Sequence, residues 1–444
     1  MNPILAQGLE RALARIGWPA PTGLERLSGG ASMESWRFAS GGAAGVLRRA
    51  PSPEVMAGRP MDHAGEAGLI GAAHAAGVTA PEVLVVLEPA DAIGTGFVMR
   101  ALPGTPDPVL ILTTPEPARL LADLAGALAA IHRLPLSGLT APVMETAAAL
   151  GELKTRFIGY GGDRPILALA ARWLEANLPA PVPPKLVHGD FRLGNLLVDA
   201  GRLSGVLDWE LAHLGDPHED LAYGCMTVWR FSRPDRPAFG LGSIDEFTQA
   251  YEAAGGGPVD PARLRFWLVY RTFWWALGCL QMGAMWRDHA DRSLERVVVA
   301  RRTAEQELDL LMLLEQDAPE TERARAVPAA QPGTGPQLGE PTGAEVLTAV
   351  SEWLTSDIKP LVSGRGKFDL AVARNALGIV ARELEQRPAA TDAVLAADLL
   401  SGKADLATPH LLARLRRMAM DKLTADMPKY PALAAARAHW EGPT

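Results

Sequence analysis

The chain has 444 residues, 48% of them hydrophobic and 21% charged, a globular composition long enough for two or three domains. Its formal charge of -8 and pI near 5.7 argue against non-specific nucleic-acid binding, which needs a basic footprint, while leaving room for a local basic pocket. The two cysteines, Cys225 and Cys279, form no spaced set, so neither a disulfide framework nor a zinc site is expected and a reducing cytoplasm fits.

The N-terminus carries Glu10, Arg11 and Arg15 within its apolar periodicity and reads as a surface helix rather than a cleaved signal. Residues 27–33 form a glycine-rich turn, followed by a strand at 35–38, a second turn at Gly41 and Gly42, and extended structure at 46–48. Ala67, Ile70, Gly71 and His74 then give helical spacing that ends at Gly77. Strands at 83–87 and 96–100 complete a small sheet with one helix on it, closed by Pro103 and Gly104.

From Pro115 the pattern turns helical, with Leu120, Leu121, Leu124, Leu128 and Ile131 on one face and a further helix at 168–178. Short strands at 186–187, 196–198 and 205–207 interrupt it, and helices at 244–254, 261–287 and 294–315 follow. Residues 266–286 are apolar enough to suggest a membrane span, but Arg271 and Gln281 lie inside. A charge at that depth costs about 2.5–3.5 kcal/mol, so a buried core helix and no membrane association are expected. Residues 318–343 hold five prolines and four glycines and read as a linker. Beyond it the chain looks all-helical, with stripes at Ala373, Leu377, Val380 and Leu384 and at Leu412, Leu415, Ala419 and Leu423.

The strongest chemical signal is His188-Gly189-Asp190-Phe191-Arg192-Leu193-Gly194-Asn195, followed by Leu207-Asp208-Trp209. A hairpin centred between Gly201 and Arg202 pairs Val198 with Gly205 and Leu196 with Leu207. It sets Asn195 opposite Asp208, with Cβ atoms roughly 4.5–5.5 Å apart. An amide oxygen and a carboxylate so placed suit one hard cation such as Mg²⁺, whose shell is completed by substrate phosphates. Asp190, on the loop entering the hairpin, is placed to accept the proton of an attacking hydroxyl, while His188 orders the loop backbone. The bland alternative is a surface turn with Asp208 as a strand-end cap.

These residues resemble the catalytic loop and metal aspartate of the aminoglycoside phosphotransferase and choline kinase-like superfamily, distant relatives of protein kinases. The likeness continues through Gly215-Asp216-Pro217 and Asp220-Leu221-Ala222, where the carboxylates are mostly structural in that family. It implies an α+β, bilobal kinase-like fold with an N-lobe at 1–104 and a C-lobe at 105–317. The linker then leads to an all-α domain at 344–444. It implies ATP and Mg²⁺ as cofactors and the hydroxyl of a small molecule as acceptor. Asp190 is then the catalytic base, with His188 and Asn195 in the catalytic set, and Asn195 and Asp208 bind the metal. The family pairs a cation on the third strand with a helix glutamate. No lysine precedes Lys154, so Arg48, or alternatively Arg49, takes that place opposite Glu66. Gly29, Gly30 and Ser32 would approach the ATP phosphates, and Met99 lies in the segment that resembles the adenine hinge. Arg100 departs from the acidic residue common there.

Acceptor specificity is expected after residue 222. Between 228 and 292 eight arginines face seven acids, without the acidic excess that a polycationic aminoglycoside would favour. The run Val46-Leu47-Arg48-Arg49-Ala50-Pro51 and the motif Asp208-Trp209-Glu210 resemble the kinase-like domains related to those fused to acyl-CoA dehydrogenases, which implies a hydroxyacyl-CoA as acceptor. An aminoglycoside or amino-alcohol kinase and a nucleotide-binding pseudokinase scaffold are the alternatives. The pieces Ser363-Gly364-Arg365 and Arg374-Asn375-Ala376-Leu377 resemble an uncharacterised helical domain found with such kinases, for which homo-oligomerisation or docking to a protein partner is expected.

Overall fold

Gly41 and Gly42 adopt φ of 57° and 85°, the left-handed pair that a two-residue hairpin requires, and Ser40 pairs with Ala43 across them. This turn lies in the first sheet of the computed structural model, which describes residues 3–27, 33–291, 294–329, 342–386, 388 and 391–442. The chain opens with α1 (Pro3–Ala14), β1 (Thr22–Arg26), β2 (Glu34–Ser40), β3 (Ala43–Ala50), α2 (His63–Ala75), β4 (Val83–Val86) and β5 (Thr95–Arg100). There follow α3 (Pro108–Ile111), α4 (Pro117–His132), α5 (Thr146–Gly159), α6 (Pro165–Ala176), β6 (Lys185–Val187), β7 (Leu196–Asp199), β8 (Arg202–Val206) and β9 (His213–Gly215). The rest is helical: α7 (His218–Tyr223), α8 (Ile244–Ala253), α9 (Pro261–Arg287), α10 (Leu294–Arg301), α11 (Thr303–Leu314) and α12 (Glu320–Arg323). The chain ends with α13 (Gly343–Trp353), α14 (Gly364–Gln386), α15 (Ala393–Ser401), α16 (Leu411–Asp426) and α17 (Pro431–Trp440).

Two compact units emerge. One comprises Met1–Thr146, Ala180–Phe231 and Asp235–Leu264; the other comprises Ala147–Pro179, Ser232–Pro234 and Arg265–Thr444. In the first, an antiparallel sheet of order β1-β2-β3-β5-β4 packs Phe38, Leu47, Leu87, Ile93 and Val98 against Leu5, Leu9, Ala12 and Leu13 of α1. The N-terminal helix therefore buries one face in the sheet's core rather than merely lying on the surface. β1 escapes sequence reading because Thr-Gly-Leu-Glu-Arg is an exposed edge strand with no clear alternation. Two small ribbons, β6 with β9 and β7 with β8, carry the loops described below. Main-chain bonds between Thr105 and Val198, and from Val206 N to Thr79 O, fix the second ribbon within the same unit.

In the second unit, α6 packs against α15 and α11 against α16. The stripe Leu412, Leu415, Ala419 and Leu423 is buried as its spacing predicts. The α14 stripe is not: Val380 and Leu384 are 43% and 46% exposed, and the helix instead buries Ile379 and Ala381. The helix expected at 294–315 is broken near Arg302 into α10 and α11. Of the expected linker, residues 330–341 lie outside the described residues, whereas 318–329 include α12 with its buried Glu322. No helix among the described residues is long and apolar enough to cross a membrane.

Candidate active site

β6 delivers the chain to His188 through a turn that only glycine fits at its second position. Gly189 has φ of 80°, and a Cβ there would lie 2.5 Å from the carbonyl oxygen of Leu211. Asp220 of α7, fully buried, clamps the turn by accepting hydrogen bonds from His188 N at 2.7 Å and Gly189 N at 2.9 Å. His132 Nε2 approaches the same carboxylate at 3.1 Å, and its Nδ1 meets Tyr251 Oη at 2.8 Å. Burial opposes ionisation of Asp220, yet these donors prevail and hold its pKa below the ordinary value. His188 is itself buried, which pushes its pKa down. Its Nε2 bonds Leu207 O at 3.0 Å and its Nδ1 accepts from Asp190 N at 3.2 Å. The neutral ring thus joins the loop to the end of the β7–β8 ribbon through backbone groups.

Asp190 is held from both sides. Its Oδ1 accepts from Arg192 Nε at 2.9 Å and its Oδ2 from Asn195 Nδ2 at 2.5 Å. The Asn195 amide also donates to Asp190 O at 3.1 Å, and its Oδ1 takes part in none of the described hydrogen bonds. Arg192 lies with its guanidinium carbon 4.3 Å from the Trp229 ring centroid. Burial works against the Arg192 charge, but Asp190, Tyr223 and Asp208 outweigh it and raise its pKa. Sequence reasoning assigned Arg192 no role; its position two residues after Asp190, within the motif, was the available signal.

The ribbon register differs from the expected one. Asp199 pairs with Arg202, Leu197 with Gly205 and Leu196 with Val206. The turn is centred between Ala200 and Gly201, with φ of 47° and 76°, and a bulge shifts the pairing by one residue. Asn195 therefore faces Leu207, whose N–H donates to Asn195 O at 2.8 Å, and not Asp208. Asp208 leaves the ladder through a positive φ of 65°, a conformation uncommon for a non-glycine residue.

Asp208 meets the first sheet through Arg48. Arg48 Nη2 lies 2.7 Å from both Asp208 Oδ1 and Glu210 Oε2, and its Nε lies 3.1 Å from Glu66 Oε1 of α2. Burial lowers the Arg48 pKa, but Glu66, Asp208 and Glu210 reverse the effect and hold it above the ordinary value. Glu66 is pushed up to about 7, chiefly by burial; Arg48 opposes this, and Asp208 and Glu210 add to it. Arg59 Nη1 also binds Glu210 Oε2, at 2.8 Å. Neither Arg59 nor Glu210 was singled out as a site residue. Arg49 points to the other face of β3, to Glu34 Oε2 at 2.6 Å and Ile93 O at 2.9 Å, as strand alternation requires.

Gly29, Gly30 and Ser32 lie outside the described residues. Met99 is half-buried on β5, between Val46 and Val83. Arg100 pairs with Glu82 at 2.6 Å and stacks over Trp18. Asp216 serves the scaffold, bonding His218 Nδ1 at 2.9 Å and Arg263 Nη1 at 2.5 Å. No cluster of three or more His, Cys, Asp or Glu suited to a metal occurs among the described residues. A metal here would draw on Asn195 Oδ1, Asp208 and ligands from outside the protein. That donor set fits a hard cation.

Solved structures share this fold, two of them as follows. One is a candidate aminoglycoside phosphotransferase from Ralstonia eutropha, with TM-score 0.57 and 20% identity, covering 70% of this chain and 98% of that one. The other is a thermostable mutant of aminoglycoside phosphotransferase APH(4)-Ia in ternary complex with ADP and hygromycin B. Its TM-score is 0.50 at 20% identity, covering 70% of this chain and 99% of that one. Among curated proteins, acyl-CoA dehydrogenase family member 10 of Mus musculus is 29% identical over 252 residues, 51% of this chain and 23% of the relative. Family member 11 of Gallus gallus is 31% identical over 263 residues, 55% of this chain and 33% of the relative. This chain thus spans a third or less of these curated relatives. The profile of the phosphotransferase enzyme family matches residues 23–267, more than half the chain and all the residues of the loop, ribbon and Arg48 network. The chain belongs to the phosphotransferase enzyme family.

Proposed function

We propose that this phosphotransferase moves the γ-phosphoryl group of ATP, with Mg²⁺, to the hydroxyl of a small molecule, and that the acceptor is a hydroxyacyl-CoA. The observation that carries the reading is the pinned Asp190 carboxylate, gripped by Asn195 and Arg192. Asp208 lies near enough to Arg192 to act on its charge and is tied to Arg48. Phosphoryl transfer demands positioning and charge neutralisation more than covalent chemistry. Asp190 takes the acceptor's proton as its oxygen bonds to phosphorus and the bond to the β-phosphate oxygen breaks. Asn195 Oδ1 and Asp208 would hold Mg²⁺, which neutralises phosphate charge when bound. Arg48, carried on β3 and buttressed by Glu66, supplies a fixed cation for the nucleotide phosphates once Asp208 turns to the metal.

Nucleotide use is supported by the ADP complex of APH(4)-Ia. The acceptor class is supported by the relatives named acyl-CoA dehydrogenase family members, and by the lack of an acidic excess at 228–292. The rival acceptor is an aminoglycoside, favoured by the hygromycin B complex of that same neighbour. Incubating the chain with labelled ATP, Mg²⁺ and parallel panels of hydroxyacyl-CoAs and aminoglycosides, read by mass spectrometry, separates the two. Phosphorylated acyl-CoA supports the proposal; label on aminoglycosides alone refutes its acceptor. ATP binding with no transfer to either panel favours a pseudokinase scaffold.

A further inference from the structure

The helices α13 and α14 carry more apolar surface than their own unit covers. Over residues 343–378 a single residue, Ala344, is buried. Yet Val346, Val350 and Trp353 fall at i, i+4 and i+7 on one face of α13, 48%, 40% and 53% exposed. Leu361 at the turn and Phe368, Val380 and Leu384 on α14 are exposed as well. The two helices run antiparallel, since the start of α13 at Gly343 lies against Leu384 near the end of α14. Apolar side chains gathered on an exposed helix face mark interaction surfaces.

Charge indicates the occupant. Between 343 and 353 the charged residues are Glu345 and Glu352, with no Lys or Arg. Between 364 and 374 they are Arg365, Lys367 and Arg374 against Asp369. One helix of the hairpin is acidic and the other begins basic, so the surface is complementary to itself when turned about a two-fold axis. The area suits a modest interface. With α13 of 11 residues and α14 of 23, roughly 17 Å and roughly 34 Å long and roughly 10 Å wide each, the footprint is roughly 500 Å² per partner, the size of a small interface.

We propose that the α13–α14 hairpin is the interface of a homodimer, in which two hairpins form a four-helix bundle. Each acidic α13 then lies against the basic first half of the partner's α14, and the Val346–Val350–Trp353 stripe is covered.

Sedimentation equilibrium of the full chain tests this. The wild type is expected at twice its 47.2 kDa mass in the micromolar range. Trp353→Glu should weaken self-association by more than about tenfold. Glu345→Lys with Glu352→Lys should give monomers, and so should Arg365→Glu with Lys367→Glu. An equimolar mixture of those two double variants should dimerise again, because each restores the other's missing complement. These side chains are all exposed, and circular dichroism of each variant checks that folding is intact. A monomeric wild type overturns the proposal, including the case where the hairpin docks a different protein. So does a Trp353→Glu variant that dimerises normally, or a mixture that stays monomeric.

Discussion

Replacing Arg48 with Met removes a cation whose side chain is 12% exposed and which serves three carboxylates. Their losses are unequal. Asp208 and Glu210 are 32% and 29% exposed at the side chain and turn to water, so each contributes at most about 1 kcal/mol. Glu66 is 4% exposed and has no such recourse. Orphaning one partner of a buried pair costs about 3–5 kcal/mol, a large share of the roughly 5–15 kcal/mol that stabilises a domain. The gap between its folded value of about 7 and the ordinary 4.5 corresponds to about 3 kcal/mol of burial penalty still borne with Arg48 present. The sign follows from that raised value. Stability linked to Glu66 is full below pH 4.5 and is lost as pH rises through about 7. Without Arg48 the loss runs on to higher pH, so the deficit of the variant should widen above pH 7. Adding Glu66→Gln should recover at least about 2 kcal/mol of it, since the stranded acid is then gone. Urea denaturation of the four members of the cycle at pH 6 and pH 8.5 provides the assay. A deficit under about 1 kcal/mol, or no recovery in the double variant, refutes the reasoning.

Gly189→Ala forces a Cβ to within 2.5 Å of Leu211 O at a positive φ, and should lower stability by about 2 kcal/mol or more while impairing turnover. Thermal denaturation beside a steady-state assay checks both. Asp220→Asn keeps the shape but discards the ionised acceptor of two loop N–H groups. It should cost about 2–4 kcal/mol and release protection of the His188 and Gly189 amides in hydrogen exchange. In the second unit, burial raises Asp426 to about 6 from 3.8, against Arg301 and Lys422. The stability it confers is full below pH 3.8 and lost as pH rises through about 6. Asp426→Asn should therefore gain on the wild type across that window by up to about 3 kcal/mol in pH-dependent unfolding.

Sequence went far where one local pattern decided the structure. The long helix at 261–287 and the Gly41–Gly42 hairpin lie where spacing and turn chemistry place them. Arg48, rather than Arg49, joins Glu66 and Asp208 because alternation along β3 divides the two faces. Register was less legible. The turn sits one residue earlier than expected and a bulge in the β7–β8 ribbon restores only part of that shift, which leaves Asn195 opposite Leu207; nothing in Arg202-Leu203-Ser204-Gly205 announces the extra residue. Arg59 and Glu210 stayed hidden because their meeting spans 151 positions and follows from the fold alone. The α14 stripe failed for a different reason. Periodicity identifies an apolar face without saying which molecule covers it.

The role of Asp190 is the most exposed part of the account. Asp190→Ala, assayed with ATP, Mg²⁺ and whichever acceptor the panel yields, should lower turnover by about 10²–10⁴-fold while ATP affinity stays within about threefold. A variant that transfers phosphate at the wild-type rate would contradict the assignment of the base and, with it, the proposed chemistry of the loop.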